Sequence, residues 1–198
     1  MNKKYKLTEV YKEIGGKKLY RIQALKDFGA VKKGELGGFI EKESNLNVDG
    51  NAWVYGNARV YDNAIVYGDA RVYGDAWVYG NARVYDNAIV YGNARVYGDA
   101  RVFGNASVYG DARVYGNAWV YGNARVYGDA RVFGDLKLKA GFFFGMRWNA
   151  DTEIKQVEVS DGNFLVYKGD AEFGEDEVEE MTVEEVCEAL GKTIKIVK

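Results

Sequence analysis

Residues 51–134 repeat one pattern of apolar and polar positions every six residues. Fourteen consecutive hexads read Asn/Asp-Ala-x-Val-Tyr/Phe-Gly/Asp, where x is Arg, Trp, Ile or Ser, and a looser copy, NLNVDG, occupies residues 45–50. Successive side chains of a strand point to opposite faces. Because six is an even number, alanine and valine are predicted to share one face of every strand, while tyrosine and the variable residue share the other.

The Gly-Asn and Gly-Asp steps between hexads predict tight corners, since these residues tolerate a positive φ at low cost. Two architectures could use such short strands: an antiparallel meander or a solenoid. A meander would leave its alanine and valine face bare. A solenoid turns that face inward, where small alanine beside valine suits a narrow interior. We therefore predict an all-β solenoid.

The run Val-Tyr-Gly-Asn-Ala-Arg resembles the bacterial hexapeptide-repeat family. The resemblance implies a left-handed parallel β-helix of triangular section with three hexads per coil, and therefore about five coils over residues 45–134. The segment leading into the repeat, residues 19–55, is similar to that of the uncharacterised YdcK-like and prophage-encoded hexapeptide-repeat proteins. No biochemical activity follows from that similarity.

With 18 residues per coil, every third hexad shares one outer face of the prism, and the outward residues can be assigned to three faces. The first face carries Trp53, Arg71, Ile89, Ser107 and Arg125 beside Tyr55, Tyr73, Tyr91, Tyr109 and Tyr127. The second face carries Arg59, Trp77, Arg95, Arg113 and Arg131 beside Tyr61, Tyr79, Tyr97, Tyr115 and Phe133. The third face carries Ile65, Arg83, Arg101 and Trp119 beside Tyr67, Tyr85, Phe103 and Tyr121.

The flanks depart from the hexad pattern, which divides the chain into three predicted segments. Residues 1–44 form an N-terminal hairpin and capping coil, residues 45–134 the β-helix, and residues 135–198 a small α+β cap with an acidic helix. A terminal coil exposes unpaired backbone groups, so a solenoid needs a cap at each end.

Local patterns predict the parts of these caps. Polar and apolar residues alternate on both sides of Gly15-Gly16, which predicts a β-hairpin. Phe142-Phe143-Phe144 are predicted to cover the open end of the core. A capping box formed by Thr182 and Glu185 predicts a short helix over residues 182–190.

The composition argues against catalysis. The 198 residues include no histidine and a single cysteine, Cys187, which removes the commonest general base, the commonest neutral metal ligand and any internal disulfide. Acyltransferases of the hexapeptide-repeat family use a histidine base and loops that interrupt the coils, and this repeat has neither. We expect a non-catalytic protein without cofactor or metal; an acyltransferase-like activity is the disfavoured alternative.

The charges are distributed unevenly along the chain. Lys+Arg 27 against Asp+Glu 29 gives a net charge of -2, so the whole molecule is not a polycation. On the second face, a column of arginines beside aromatic residues is a candidate site for an anion or nucleic acid; its members are Arg59, Arg95, Arg113 and Arg131. The favoured interpretation is that the guanidinium groups lie over tyrosine rings and pair with corner carboxylates.

Between Gly169 and Gly191 the chain has ten carboxylates and no basic residue. A solvated helix and loop are favoured. The alternative is docking to a basic partner by a group of four residues, Glu179, Glu180, Glu184 and Glu185. In that case the protein would be an inhibitor or sequestering protein directed at a host defence system, acting through this acidic region or by binding a charged ligand between the arginine and tyrosine columns.

The sequence favours a rigid interaction or assembly protein of phage or prophage type. Tyrosine is enriched at protein interfaces, and the first face has the lowest proportion of charged variable residues, two of five. Its predicted interaction residues are Trp53, Tyr55, Tyr73, Ile89, Tyr91 and Tyr109. The resemblance implies a homotrimer, and a further protein partner is expected. A cytoplasmic location is expected, because no apolar run reaches signal-peptide or membrane-span length.

Overall fold

The computed structural model describes residues 3–145 and 172–173. The chain begins with an antiparallel hairpin of β1 (Tyr5–Ile14) and β2 (Lys17–Ala24). Its turn residues, Gly15 and Gly16, have φ values of 56° and 78°, as a two-residue hairpin turn of type I′ requires. The predicted N-terminal hairpin is confirmed.

The next elements connect the hairpin to the repeat. Strand β3 (Leu36–Ile40) pairs antiparallel with β2 on one side and parallel with the repeat on the other. A short 3-10 turn, Glu43–Asn45, follows. The antiparallel cap and the parallel coil therefore form one continuous sheet.

The repeat forms short strands, each containing the variable residue and the valine of a hexad. In chain order they are β4 (Trp53–Val54), β5 (Arg59–Val60), β6 (Ile65–Val66), β7 (Arg71–Val72), β8 (Trp77–Val78), β9 (Arg83–Val84), β10 (Ile89–Val90), β11 (Arg95–Val96), β12 (Arg101–Val102), β13 (Ser107–Val108), β14 (Arg113–Val114), β15 (Trp119–Val120), β16 (Arg125–Gly128) and β17 (Arg131–Val132). Three strands follow the repeat: β18 (Lys137–Leu138), β19 (Phe142–Gly145) and β20 (Glu172–Phe173).

These strands stack into three parallel sheets. The first face consists of β4, β7, β10, β13, β16 and β19, the third of β6, β9, β12, β15 and β18, and the second of β5, β8, β11, β14, β17 and β20 below β1–β3. Partners are 18 residues apart, as in Trp53 with Arg71 and Ile65 with Arg83. The parallel solenoid is confirmed, with about six turns where five were expected. Its left hand stays a prediction of the resemblance.

The interior follows the hexad pattern. Every alanine and every valine of the fourteen hexads is fully buried. Backbone groups pair between coils, as where the Trp53 N–H donates to the Ala70 carbonyl at 3.0 Å. The result is a dry axial core whose walls are hydrogen-bonded along their whole height.

The solenoid extends beyond residue 134, where the C-terminal cap was expected to begin. Leu136 and Leu138 occupy the inward alanine and valine positions of one more third-face strand and are buried. Phe142-Phe143-Phe144 do not cover the end of the core. They lie in β19, which adds a strand to the first face, so only Phe143 points inward while Phe142 and Phe144 are exposed.

The looser hexad at residues 45–50 also differs from expectation. Leu46 enters the core and bridges to Val66, two residues further along than the 18-residue spacing, whereas Val48 is 52% exposed. The 3-10 turn before Leu46 causes this shift. The buried Asn45 side chain donates to the carbonyls of Asp62 and Ala64, which satisfies backbone groups that a regular strand would have paired.

The first coil is closed by two buried polar side chains. Lys4 donates to the carbonyls of Asn47, Gly50 and Ala52, the last at 2.7 Å, and burial lowers its pKa to about 8. The Tyr5 hydroxyl donates to the carbonyls of Glu43 and Leu46. These contacts give hydrogen-bond partners to backbone carbonyls that would otherwise be unpaired at the end of a solenoid.

The C-terminal cap is only partly described. Strand β20 adds backbone pairing next to β17. The predicted helix over residues 182–190 and the acidic segment lie outside the described residues.

The corners allow the stability of glycine and aspartate to be compared at a position with positive φ. Gly98 has a φ of 68°, and a Cβ there would lie 3.0 Å from the Gly116 nitrogen. Asp62 and Asp86 hold the same corner position with positive φ, and their carboxylates accept hydrogen bonds from the next coil at 3.1 and 3.2 Å. In urea denaturation, Gly98→Ala should cost about 1–2 kcal/mol of unfolding free energy, and Gly98→Asp less.

The matched control for this prediction is Gly56→Ala. Gly56 also has positive φ, but a Cβ there would lie 3.7 Å from its nearest neighbour. This variant therefore reports the backbone strain alone. Equal losses for Gly98→Ala and Gly98→Asp would show that the carboxylate does not help to hold the corner.

Candidate functional site

The tyrosines of the outer faces form three stacked ladders. Neighbouring rings within a ladder have centroids 4.7–5.2 Å apart and planes 1–14° from parallel. The rings are Tyr73, Tyr91, Tyr109 and Tyr127 on the first face, Tyr61, Tyr79, Tyr97, Tyr115 and Phe133 on the second, and Tyr67, Tyr85, Phe103 and Tyr121 on the third. Within a ladder each ring covers its neighbour, which leaves ring edges for a ligand.

Burial also changes the acidity of the ladder phenols. It raises the pKa of Tyr61 to about 12. The same cause raises the pKa of five more ladder members above the ordinary value, namely Tyr67, Tyr79, Tyr85, Tyr91 and Tyr109. These hydroxyls are therefore neutral donors and acceptors at neutral pH.

The first face differs from the prediction at Trp53. Its side chain is fully buried, because Tyr5 and Phe28 of the N-terminal segment pack edge-on against the indole, with centroids 6.0 and 5.3 Å away. Tyr55 is also partly buried against the core. Trp53 is therefore part of the cap contact and cannot contribute to an interaction surface.

The remaining predicted residues do share one exposed strip. Tyr73 is 36% exposed, and Ile89, Tyr91 and Tyr109 are half-buried on the same sheet. Two residues missed by the sequence reasoning extend the strip, Phe142 at 62% and Phe144 at 46% exposure. We call these six residues the first-face strip. The missed residues have no hexad signal, because Phe142 pairs with Arg125 at a spacing of 17.

On the second face, the predicted arginines and Trp77 form one column, which we call the arginine column. Strand pairing aligns Arg59 with Trp77, Trp77 with Arg95, Arg95 with Arg113, and Arg113 with Arg131. The guanidinium groups of Arg59 and Arg95 lie 4.8 and 5.4 Å from the Trp77 ring centroid. Both faces of this indole are therefore covered by cations.

Among residues 3–145, the ring contacts of the arginines differ from the expected placement over tyrosines. The recorded rings under the guanidinium groups are those of Trp77, Trp119, Phe39 and Phe142. Tyrosines stack on tyrosines instead, because both recur every 18 residues. Within residues 3–145, four ion pairs of three lysines can be named: Lys3 with Glu43, Lys17 with Glu41 and Asp62, and Lys32 with Asp27.

The third face has a shallow open depression of about 330 Å³. Its centre is Trp119, which lies between Arg101 and Lys137, each 4.8 Å from the ring. Asp99 and Asp135 complete the rim. The sequence placed Trp119 on this face but did not indicate the depression.

The acidic docking residues of the alternative hypothesis, Glu179, Glu180, Glu184 and Glu185, lie outside the described residues. In the part of the chain that is described, no three acidic or cysteine side chains are close enough to share a metal ion. No helix there has the length and apolarity needed to cross a membrane.

Parallel coils, an alanine–valine core and in-register outer columns define the class of β-solenoid repeat proteins. Within that class, residues 52–68, 66–80, 76–92, 82–95, 94–110, 106–122 and 124–135 match the family model of the YdcK Beta solenoid repeat. Residues 52–135 therefore consist of solenoid repeats of the YdcK type, and the predicted resemblance is confirmed over the repeat. A search of the curated proteins found no match.

Proposed function

We propose that the protein is a non-catalytic, rigid interaction protein that assembles with copies of itself through the first-face strip. The observation that carries this is the combination of a fully buried core with a row of exposed and half-buried aromatic side chains on one sheet. Such a rod holds its surface residues at fixed spacing, so little conformational entropy is lost on binding.

The chemistry of the strip supports burial in an interface. The middle of the first face is uncharged, with Ile89 and Ser107 on neighbouring strands between Arg71 and Arg125. Phe142 and Phe144 extend the apolar area at the C-terminal end. Aromatic side chains with few charges are typical of the centre of protein interfaces.

A trimer is the assembly that the resemblance to the hexapeptide-repeat family implies, and a phage or prophage origin rests on the similarity of residues 19–55 to prophage-encoded repeat proteins. Catalysis is not part of the proposal, because the chain has no histidine and the fourteen hexads contain no loop.

The test compares Ile89→Arg with Ile65→Arg by native mass measurement. Both isoleucines occupy the variable position of an identical hexad, NAIVYG, but Ile89 lies on the first face and Ile65 on the third. Arginine occurs at this position in other hexads, so both variants should fold. We expect the wild type and Ile65→Arg to be oligomeric and Ile89→Arg to be largely monomeric.

Two results would contradict the proposal: a monomeric wild type at micromolar concentration, or equal dissociation of both variants. Circular dichroism melts of the two variants establish that any change in mass is not caused by unfolding.

A further inference from the structure

The arginine column continues into the N-terminal cap. Phe39 of β3 pairs with Arg59, and Arg21 of β2 pairs with Phe39. The Arg21 guanidinium lies 5.4 Å from the Phe39 ring centroid, so arginine and aromatic side chains alternate here as they do around Trp77. At about 4.8 Å per strand, the column from Arg21 to Arg131 is roughly 29 Å long.

Four arginines of this column and its extension carry a positive charge that no named neighbour neutralises. Within residues 3–145, the guanidinium groups of Arg21, Arg59, Arg95 and Arg113 take part in no recorded ion pair or hydrogen bond. The Nε atoms of Arg21 and Arg59 are buried without an acceptor. The remaining nitrogens of these guanidinium groups are charged donors, which form their strongest hydrogen bonds with anions.

A further cation joins the column at its N-terminal end. The Lys12 ammonium lies 4.4 Å from the Phe39 ring centroid and donates to Asn57 at 3.3 Å. Burial, followed by the nearby charge of Arg59, lowers its pKa, and Asp75 acts in the opposite direction. The end of the column therefore has more cations, Lys12, Arg59 and Arg21, than carboxylates, of which Asp75 is the one named beside Lys12.

The positive strip is only one side chain wide. On one side lies the corner column, in which Asp75 and Asp111 are exposed and Asp111 accepts from Asn93 at 3.1 Å. On the other side lies the second-face ladder, whose ring faces cover each other. A second row of phosphates would meet the aspartates, so the strip fits a single row of anions.

The shape also disfavours nucleic acid. Binding of single strands depends on aromatic faces on which bases stack. The ladder rings cover one another, and both faces of Trp77 are covered by Arg59 and Arg95. What the column offers is a straight series of guanidinium groups, which bind phosphate by paired N–H donors.

We propose that the arginine column, together with Arg21 and Lys12, binds linear inorganic polyphosphate along the second face. Each guanidinium contacts the phosphate row, and release of counterions from the polymer drives association. This surface is separate from the first-face strip, so the proposal stands or falls independently of self-association.

The experiment titrates the full-length protein with long-chain polyphosphate by calorimetry at several salt concentrations. Removal of three cations in Arg59→Gln/Arg95→Gln/Arg113→Gln should weaken binding about ten-fold or more and reduce the slope of log K against log salt by roughly 2–3. The matched control, Arg71→Gln/Arg83→Gln/Arg125→Gln, removes the same charge from the other two faces and should change affinity less than about two-fold. Asp75→Asn/Asp111→Asn should tighten binding, since asparagine occupies the same corner position elsewhere in the repeat.

Four results would overturn the proposal. They are no measurable binding of polyphosphate, equal losses in the two triple variants, tripolyphosphate binding as tightly as the long chain, and tighter binding of oligodeoxythymidine of matched charge. The third would indicate a compact anion site and the fourth a nucleic-acid surface. Circular dichroism of each variant separates loss of binding from loss of fold.

Discussion

Replacement of Ala82 by leucine is expected to lower the free energy of unfolding by about 3 kcal/mol, at the upper end of typical overpacking costs. Ala82 is fully buried, and the alanines one coil above and below it, Ala64 and Ala100, are fully buried too. Because protein interiors are close-packed, a larger side chain there must displace neighbouring core atoms. Within residues 51–138, leucine takes an alanine position only at Leu136, on the last strand described for the third face.

The adjacent outward residue provides the control. Arg83 is exposed on strand β9, and Arg83→Leu should change the unfolding free energy by less than about 0.5 kcal/mol. Urea denaturation of both variants checks the prediction. Similar losses of unfolding free energy at the two positions would mean that the axial core is not tightly packed.

Alkaline pH is expected to destabilise the protein strongly. A phenol with a raised pKa stays protonated in the folded chain at a pH where it ionises in the unfolded chain. Burial raises the pKa of eight tyrosines: Tyr5, Tyr55, Tyr61, Tyr67, Tyr79, Tyr85, Tyr91 and Tyr109. Their contribution to stability is complete below the ordinary tyrosine pKa of about 10 and is lost as pH rises through the folded values, about 12 for Tyr61.

Lys4 acts with the opposite sign, because its lowered pKa, about 8, makes its charged form less favourable in the folded chain. Stability should therefore rise slightly between pH 8 and the ordinary lysine value before it falls. Thermal midpoints recorded across this range, together with phenolate absorbance, measure both effects.

A ladder variant isolates the tyrosine contribution. Phenylalanine replaces tyrosine naturally at Phe103 and Phe133 within the stacks. Tyr61→Phe/Tyr79→Phe/Tyr85→Phe should therefore keep the neutral-pH midpoint and lose less stability above pH of about 10. An unchanged alkaline midpoint in this variant would show that the ladder phenols do not control alkaline unfolding.

The periodic part of the molecule could be predicted because its contacts depend on two numbers only. An even hexad fixes which residues face inward, and an 18-residue coil fixes which side chains stack, so the core and the three faces follow from the sequence. The same 18-residue spacing stacks Tyr61 on Tyr79, and it stacks the other ladder rings in the same way. The interpretation that placed arginines over tyrosines overlooked this consequence.

The differences arise where contacts depend on residues outside the period. Trp53 has the hexad context of Trp77, but Tyr5 and Phe28 cover it from the N-terminal segment. The shifts in spacing at Leu46 and Phe142 depend on a 3-10 turn and on a corner shortened by one residue. No local pattern marks these positions, because each is decided by long-range packing.

The three-sided coil also affects how such a chain can lengthen. Residues 51–74 and 75–98 are identical except at Asn51/Asp75 and Asp69/Asn93, which is the pattern left by duplication of a block of four hexads. Four hexads are one coil and a third, so each copied side chain moves to the next face. Gene duplication in this protein thus preserves the interior while it redistributes the outer chemistry, and each growth step gives selection a new arrangement of surface columns.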